Sequence, residues 1–383
     1  MSKLLIAHGG GPTVVINASL YGAVKEALAS GKVDAVWGAV HGSAGILNEE
    51  FVDLGAKDEA SLELLKSSPA SAIGTSRTPL YEPEYARMAE VLKKHDIGYV
   101  LFTGGNGSMD TCGRLARACE GTGVVVGGIP KTVDNDIGVT DHAPGYASAA
   151  RFAAVTMKQI AADVASMPIH VCSVEFMGRN TGWITAASAL ARKEEGDAPH
   201  IILLPEVPFN EEKFLEDVKR VWEKGKGVVV AVSEGICYED GTTVAPPIFK
   251  TDRATYFGDV SGYLTKLVIE KLGIKARNEK GGILGRCCTD LASPIDIEEA
   301  VKLGALAART VLSGQGGMMP GLKRISDEPY QCEEILIPVE DVMMNERLFP
   351  KEYIAENGID VTEDFIRWCK PLVGEIPEYA YFR

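Results

Sequence analysis

The chain lacks any run of apolar residues that approaches the roughly 20 needed to cross a bilayer as a helix. Its first residues, MSKLLIAHGGGPT, also lack the layout of a signal peptide and lead directly into a short apolar stretch and a glycine loop. Internal repeats, coiled-coil heptads and low-complexity linkers are absent as well. We therefore expect a globular, cytoplasmic protein that does not bind membranes.

Basic residues are fewer than acidic ones: the chain has 39 Lys and Arg and 53 Asp and Glu, which gives a net charge of −14. A nucleic-acid surface needs clustered Lys and Arg, so this balance argues against a nucleic-acid partner. A small anionic ligand is still compatible with it, because an acidic protein can carry a local cationic pocket.

Cysteine pairs at metal or redox spacing are missing. None of the eight cysteines lies in a CxxC pair, and Cys287 and Cys288 are adjacent, which is poor geometry for a simple disulfide. The pattern predicts reduced thiols, as in cytosolic proteins, and no metal cage built from Cys and His.

Two familiar nucleotide-binding motifs are missing from the first glycine loop, residues 8–12, which follows an apolar stretch at 3–7 and precedes a helical pattern at 13–28. Val14 occupies the last glycine position of a GxGxxG motif, and no Gly-Lys-Ser/Thr of a Walker A loop follows. A strand, a glycine loop and a helix can still cradle a phosphate on backbone N–H groups. A tight turn without a ligand is the alternative.

What the sequence does contain is this arrangement three times. A second apolar stretch, 99–103, leads into GGNGS at 104–108, and a third, 124–126, leads into GGIPKTVDND at 127–136. Strand and helix patterns alternate as far as residue 235 and weaken after Cys237, which predicts an α/β fold with two doubly wound, Rossmann-like lobes and parallel sheets. The three loops would then share one carboxyl edge of a sheet, where ligands bind in such folds.

The stretch GGIPKTVDND, predicted to leave its strand in a turn at the two glycines, combines a cation, a hydroxyl and two carboxylates: Lys131, Thr132, Asp134 and Asp136. Two aspartates separated by one residue in a rigid turn can act as a proton acceptor and its orienting neighbour. An Asx-rich turn that satisfies its own backbone is the alternative. Arg77, in a segment rich in Gly, Ser and Thr, can meet a phosphate, although an ordinary loop arginine looks the same.

Taken together, these motifs resemble the phosphofructokinase family. GGGPT at 9–13, GGNGS at 104–108, PKTVDND at 130–136 and MGRN at 177–180 occur in this order, and the resemblance covers residues 3–310. It implies transfer of a phosphoryl group to the 1-hydroxyl of fructose 6-phosphate in glycolysis, from ATP or pyrophosphate and with Mg²⁺. It also implies an active site in the cleft between the two lobes, and a homodimer or homotetramer.

The same resemblance divides the chain and assigns roles to its residues. A donor-binding lobe is expected over 1–145, with 285–320 returning to it, followed by a fructose 6-phosphate-binding lobe over 146–284 and a C-terminal extension over 321–383. Asp134 is the expected proton acceptor, with Asp136 orienting it or helping to place the metal, and Lys131, Thr132 and Arg179 completing the catalytic group. Expected donor contacts are Gly11, Arg77, Gly104, Gly105, Gly107 and Ser108; expected acceptor contacts are Thr132, Met177, Gly178, Arg179, Glu234, Arg277 and Arg286.

Three positions depart from the family's usual pattern. Asn106 replaces an Asp that contacts Mg²⁺, and an amide is a neutral, weaker ligand for a hard cation. His170 replaces an arginine that reaches a neighbouring subunit in many members, and Ile283 replaces a frequent His. These changes leave open a catalytically weak regulatory subunit that only binds sugar phosphate or nucleotide. A Rossmann dehydrogenase is disfavoured, because no GxGxxG with a ribose-binding carboxylate is present.

Two residues, Gly107 and Lys131, favour different phosphoryl donors. Pyrophosphate users generally carry Asp at the position of Gly107, where its carboxylate excludes the α-phosphate of ATP, whereas glycine leaves that space open. Lys131 favours the opposite donor, because it resembles the lysine that stabilises the departing phosphate in pyrophosphate enzymes. The missing Asp makes ATP the expected donor, with a pyrophosphate-dependent, reversible phosphotransferase as the alternative.

Overall fold

A computed structural model of the protein describes residues 2–225, 227–251, 254–256, 258–343 and 345–380. The chain divides into two compact units: the first comprises Met1–Ala147 and Arg286–Arg347, and the second comprises Ser148–Gly285 and Leu348–Arg383. None of the described helices is both long and apolar enough to span a bilayer.

The regular elements alternate as the sequence predicts. The strands are β1 (Ser2–His8), β2 (Val33–Ala39), β3 (Phe51–Asp53), β4 (Ile97–Gly104), β5 (Val125–Pro130), β6 (Val171–Phe176), β7 (Ile201–Leu203), β8 (Val228–Ser233), β9 (Phe249–Thr251), β10 (Ala254–Tyr256), β11 (Ala276–Lys280), β12 (Met318–Asp327) and β13 (Tyr330–Pro338). The α-helices are α1 (Ile16–Ser30), α2 (Ser43–Asn48), α3 (Glu59–Glu63), α4 (Glu82–Lys94), α5 (Asn106–Ala118), α6 (Tyr146–Ser166), α7 (Trp183–Ala187), α8 (Glu211–Trp222), α9 (Val260–Leu272), α10 (Leu284–Cys287), α11 (Pro294–Leu312) and α12 (Glu363–Val373).

The first unit contains a five-stranded sheet in the order β3-β2-β1-β4-β5. Every neighbouring pair is parallel except β2 and β3, which are antiparallel. The direction of winding reverses between β1 and β4, because β2 lies on one side of β1 and β4 lies on the other. Ligands of open α/β sheets bind outside the carboxyl ends of the strands at such a reversal. The glycine loops that follow β1 and β4 begin at this point.

The second unit contains a four-stranded sheet in the order β11-β6-β8-β7, in which all neighbours are parallel. Strands β6 and β8 are buried along their full length, as expected for central strands covered on both faces. The two parallel sheets confirm the α/β fold class that the sequence predicts.

The start of GGIPKTVDND differs from its prediction as a turn. Gly127 and Gly128 lie inside β5, and the strand ends only at Pro130. A Cβ atom on Gly128 would lie 2.4 Å from Sδ of Met109, and one on Gly127 would lie 2.6 Å from Cγ1 of Val311. The glycines therefore allow the close packing of α5 and α11 against β5, and the turn begins at Lys131.

Helices α1 and α11 bring the later part of the chain back to the first unit. A Cβ atom on Gly22 would lie 2.0 Å from the carbonyl oxygen of Val301, and one on Gly304 would lie 2.0 Å from that of Ser19. The two backbones thus touch through glycines, which allows a far closer approach than larger side chains would permit.

The predicted C-terminal extension, 321–383, does not form a unit of its own. Its first part belongs to the first unit, where Ile337 of β13 and Val342 are buried in the hydrophobic core. Its last part belongs to the second unit, where Phe365 and Trp368 of α12 pack beside Trp183. Each part completes a core that its unit would otherwise expose, and this division could not be read from the proline-rich sequence.

Candidate active site

Three loops of the first unit lie together at the carboxyl edge of its sheet, as the sequence predicts. β1 and β5 are both parallel neighbours of β4, with His8 opposite Thr103 and Gly104 opposite Pro130. The backbone N–H of Gly9 donates to the carbonyl of Thr103 over 2.9 Å, which joins the first loop to the second. The loops after β1, β4 and β5 therefore form one surface.

Glycine is required where the first two of these loops meet. A Cβ atom on Gly104 would lie 2.0 Å from Oγ of Ser108, and one on Gly9 would lie 2.4 Å from the same atom. The Ser108 hydroxyl thus occupies space that only glycines leave. Gly10 donates to the carbonyl of Ser76 over 3.1 Å and so brings the segment of Arg77 to this surface.

The turn after β5 is held by its own side chains. The Thr132 hydroxyl donates to Oδ1 of Asp136 over 2.8 Å and accepts from the N–H of Asp134 over 3.1 Å. Asn135, which has a left-handed φ of 54°, accepts from the N–H of Ala143 over 3.1 Å. The side chains of Thr132 and Asn135 therefore hold the backbone of this segment, in which Asp134 and Asp136 are half-buried.

Lys131 is a buried cation at the first loop, with only 4% of its surface exposed. Its ammonium group donates to the carbonyl oxygen of Gly11 over 2.5 Å. Burial lowers the pKa of Lys131 to about 8; Asp136 and Asp134 oppose this shift, and the nearby Arg286 and Arg77 add to it. The lysine thus provides a positive charge at the first glycine loop, where it can bind a phosphate.

Two guanidinium groups lie at the same glycine. The position of a Cβ atom on Gly11 is 2.9 Å from Nη1 of Arg286 and 3.7 Å from Nη2 of Arg77. Arg77 was expected among the donor contacts, and it lies there. Arg286 was expected beside Arg277 and the acceptor 6-phosphate, but it belongs to the first unit and lies at Gly11. The boundary between the units falls inside α10, after Gly285, and α11, which follows it, packs on α1.

Asn106, the expected metal position, begins α5 beside the turn that follows β5. Its Nδ2 donates to the backbone carbonyl of Asp136 over 3.0 Å, while its Oδ1 is buried and accepts no hydrogen bond from any described residue. An orphaned amide oxygen next to a carboxylate fits a hard cation such as Mg²⁺, which takes oxygen ligands.

The second unit gathers the expected acceptor residues at the carboxyl ends of two neighbouring strands. The segment 177–179 follows β6, and Glu234 follows β8. Gly178, with φ of 132°, accepts a short hydrogen bond from the Ser233 hydroxyl. A Cβ atom on Gly235 would overlap the carbonyl oxygen of Arg179. The two segments therefore lie against each other, so that Met177, Gly178, Arg179 and Glu234 form one surface.

Burial raises the pKa of the Glu234 carboxyl, and Glu175 adds to the shift, while the N–H of Gly178 and the charges of Arg179 and Lys280 oppose it. Lys280 was missed by the sequence analysis. At the carboxyl end of β11, its ammonium lies 2.7 Å from the buried carboxylate of Glu175 on β6. Only the pairing of these two strands makes them neighbours, and no local motif signals it.

Arg277 is not brought to this surface. It pairs with Cys172 near the start of β6, about 13 Å along the strand from Phe176 at 3.3 Å per residue. His170, just before β6, is buried, and burial and then the charge of Arg277 lower its pKa. Both ring nitrogens of His170 are without a hydrogen-bond partner among the described residues. Ile283 is 65% exposed.

A second cluster of polar groups lies away from these loops. Ligand-type atoms of Asp141, His142 and Cys332 lie within 4.8 Å of one another. The His142 ring, however, contacts Asp141 at 2.8 Å and Glu299 at 2.7 Å, and Arg324 contacts Asp141 at 3.0 Å. Burial raises the pKa of the Cys332 thiol to about 11, so it is a poor metal ligand. The cluster is an internal ion network rather than a metal site.

Comparison with known proteins assigns the chain to a family, because the family model described as phosphofructokinase matches residues 3–311. The chain belongs to the phosphofructokinase family. It is 37% identical over 393 residues to a pyrophosphate–fructose 6-phosphate 1-phosphotransferase of Rhodospirillum rubrum, covering 99% of this chain and 96% of that one. It is 36% identical over 380 residues to the Halomonas elongata protein of the same description, covering 96% and 90%.

Solved phosphofructokinase structures agree with this assignment. A crystal structure of a pyrophosphate-dependent phosphofructokinase from Nitrosospira multiformis superposes with a TM-score of 0.90 at 34% identity, covering 100% of this chain and 94% of that one. The family resemblance found in the sequence is thereby confirmed, and so is the phosphotransferase class of the enzyme.

Proposed function

We propose that the protein transfers a phosphoryl group from pyrophosphate to the 1-hydroxyl of fructose 6-phosphate, in the cytoplasm and as a glycolytic enzyme. The observation that carries the choice of donor is the buried Lys131 ammonium on the carbonyl of Gly11, in the loop that the family uses for donor phosphates. Both relatives described above bear pyrophosphate in their names. The alternative in our sequence analysis is therefore better supported than its first expectation, ATP.

Catalysis in this proposal consists of positioning and charge neutralisation, as in phosphoryl transfer generally. Asp134 accepts the proton of the sugar hydroxyl, and Thr132 holds Asp136 beside it. Lys131 and Arg77 neutralise the donor phosphates from the loop side, and backbone groups of Gly104, Gly105, Gly107 and Ser108 line the donor. Arg179 neutralises the phosphoryl group in transit.

Mg²⁺ fits the first unit, where Asn106 Oδ1 and the Asp136 carboxylate would hold it together with donor phosphate oxygens. When bound, the ion would neutralise phosphate charge. Because Asn106 supplies no charge of its own, Asp136 and the donor must supply all of it.

The acceptor residues are proposed on the second unit, where Glu234 accepts hydrogen bonds from the sugar hydroxyls beside Met177, Gly178 and Arg179. Burial raises the pKa of Glu234 and so disfavours the ionised carboxylate, which is the form that accepts such hydrogen bonds. Arg277 is proposed to serve a 6-phosphate in a neighbouring copy, because it lies at the opposite end of its sheet from Glu234. A homodimer or homotetramer is therefore expected, and light scattering tests it.

ATP is the second candidate donor, and one observation favours it. Apart from its chain neighbours and the backbone of its own helix, no described residue has an atom within 4 Å of the position of a Cβ atom on Gly107, and Gly107 is exposed. The space that an Asp would fill in pyrophosphate users is thus open to a nucleotide.

A two-donor assay tests the proposal. Purified protein, fructose 6-phosphate and Mg²⁺ are supplied with either pyrophosphate or ATP, and the bisphosphate product is measured; a higher kcat/KM with pyrophosphate is expected. A higher kcat/KM with ATP would contradict the choice of pyrophosphate and favour ATP as the donor. Thermal stabilisation by the substrates without turnover would instead indicate a regulatory subunit that only binds them.

A further inference from the structure

We propose that Arg347 is a positioning residue of the active site, which holds the turn that carries Asp134 and Asp136 in place for phosphoryl transfer. It lies beyond residue 311, where the match to the phosphofructokinase family model ends, and it belongs to the first unit. The assignment rests on the proposed function, because it uses the roles given there to the two carboxylates. The first part of the predicted C-terminal extension thereby has a task in the reaction.

The main chain at Arg347 pairs with the chain that leaves the turn. The backbone N–H of Arg347 donates to the carbonyl of Asp136 over 2.9 Å, and Glu346 forms an antiparallel bridge with Ile137. The same carbonyl of Asp136 accepts from Nδ2 of Asn106 over 3.0 Å. Two donors from separate parts of the chain therefore fix the peptide group of Asp136.

The guanidinium of Arg347 binds the other end of the loop that begins at Asp136. Its Nη1 donates to the carbonyl of Thr140 over 2.9 Å and makes a short hydrogen bond to the carbonyl of Asp141. Hydrogen bonds from an ionised donor are roughly twice as strong as those between neutral groups. One residue thus holds both ends of this loop, the start with its main chain and the finish with its side chain.

The neighbours of this loop are themselves fixed in the first unit. Val342, which precedes Arg347 in the chain, is fully buried in the same hydrophobic cluster as Ile137, the residue directly after the turn. The N–H of Asp141 donates to the carbonyl of Leu322 in β12 over 2.8 Å. The guanidinium therefore joins the loop to a part of the chain that is anchored in the core.

Loss of this attachment should affect the rate rather than substrate binding. A general base acts only within hydrogen-bond reach of its proton, and a misplacement of about 1 Å can cost about 100-fold in rate. Most of the proposed contacts of fructose 6-phosphate lie on the second unit, which Arg347 does not belong to. We therefore expect kcat and kcat/KM to fall together, as they do when an interaction of the transition state is lost.

Steady-state kinetics of Arg347→Met, at a temperature well below the Tm of every variant, test the assignment. The kcat with pyrophosphate should fall roughly 10- to 100-fold and kcat/KM for fructose 6-phosphate by the same factor. Arg347→Lys, which keeps a cationic donor, should recover part of the loss and keeps the test decisive if the methionine variant does not fold.

Arg192→Met is the matched control. Arg192 is also half-buried, and its guanidinium donates to a backbone carbonyl, that of Pro199, over 2.8 Å. Pro199 precedes β7 in the second unit and so lies at the amino edge of that sheet, opposite to the acceptor residues. Arg192→Met should lower Tm as Arg347→Met does, but its kcat should stay within about twofold of wild type, because effects at independent sites do not couple.

A second measurement separates positioning from a structural role alone. In an Asp134→Ser background, Arg347→Met should lower kcat by less than about twofold, because the group that it positions is already gone. Equal losses of kcat in both backgrounds, or a kcat of Arg347→Met within about twofold of wild type, overturn the assignment. Turnover of the wild type with each donor tests the proposed function separately, and if wild type uses ATP, the same variants are compared with ATP.

Discussion

The hydroxyl group of Thr132 donates to Oδ1 of Asp136 over 2.8 Å, and its Oγ1 accepts from the backbone N–H of Asp134 over 3.1 Å. Asp136 is held from a second side, because Asn106 donates to its backbone carbonyl over 3.0 Å. One hydroxyl thus fixes the spacing of the two carboxylates. The arrangement suits Asp136 to a positional task and Asp134 to proton transfer.

Replacing Asp134 by Ser should therefore abolish most of the turnover. A positioned general base contributes about 10²- to 10⁴-fold, so kcat should fall by at least about 100-fold while both KM values change little. Asp136→Asn is the matched control, expected to raise the Mg²⁺ concentration needed for half-maximal rate. A kcat loss below about tenfold in Asp134→Ser would show that another group accepts the proton.

Restoring the family's usual carboxylate by Asn106→Asp should change the dependence on Mg²⁺. The new carboxylate would face the carbonyl of Asp136, to which Asn106 now donates, so without a cation the two oxygens repel. We expect Tm to fall below that of wild type in EDTA and to rise more steeply with Mg²⁺, because an ion bound only by the native state stabilises it. Equal Mg²⁺ dependence of Tm in both proteins would argue against a metal at this position.

Much of this site could be predicted because loops at the ends of parallel strands are encoded locally. The glycines at 9–11 and 104–105, the chemistry of 131–136 and the segment 177–179 each lie in one short run after a strand. Gly127 and Gly128 were misjudged because close packing against Met109 and Val311 requires glycine as strongly as a turn does. Partnerships between distant segments, such as Lys280 with Glu175, were invisible to local patterns.

Gly107→Asp should shift the donor toward pyrophosphate. The site has room, since no described residue beyond the surrounding turn of α5 has an atom within 4 Å of the new Cβ position, so the fold should be unaffected. A carboxylate there repels the α-phosphate of a nucleotide but need not contact pyrophosphate. Any ATP-dependent rate should fall at least tenfold, with the pyrophosphate-dependent rate within a few-fold of wild type. Gly107→Asn, equal in size without the charge, separates repulsion from steric exclusion.

Lys131 should give donor binding an alkaline limit. Burial lowers its pKa to about 8, so in the free enzyme the ammonium is charged below that pH and is lost as the pH rises through it. Because kcat/KM reports ionisations of the free enzyme, kcat/KM for pyrophosphate should fall above about pH 8. The arginine of Lys131→Arg keeps its charge at all these pH values, so kcat/KM for pyrophosphate should no longer fall above about pH 8. Its maximal kcat/KM should be lower than that of wild type, because the larger guanidinium fits the site less well. Pyrophosphate's own ionisation is common to both proteins and cancels in their ratio.

The ion network around His142 should make a stabilising contribution that is lost as the pH rises. Burial opposes charge on this imidazole, but hydrogen bonds with Asp141 and Glu299 outweigh it and raise its pKa from 6.5 to about 9. Its contribution is therefore fully present below pH 6.5 and is lost as the pH rises through about 9. Lys131 has the opposite effect on stability between about pH 8 and 10.5, because burial lowers its pKa from 10.5 to about 8. The contribution of His142 is therefore measured as the difference in unfolding free energy between wild type and a His142 variant.

His142→Gln should accordingly destabilise the protein by about 3–5 kcal/mol at pH 7, the usual effect of breaking a buried ion pair, and by clearly less at pH 10. Urea unfolding of wild type and variant at both pH values measures the two differences. The exposed His41, which lies outside this network, provides the matched control for loss of an imidazole. The segment 143–145 connects this network to Thr132, whose N–H donates to the carbonyl of Pro144 over 3.1 Å. The kcat of His142→Gln should therefore fall together with its stability. An unfolding difference for His142→Gln that is independent of pH would mean that the imidazole is neutral in the folded protein.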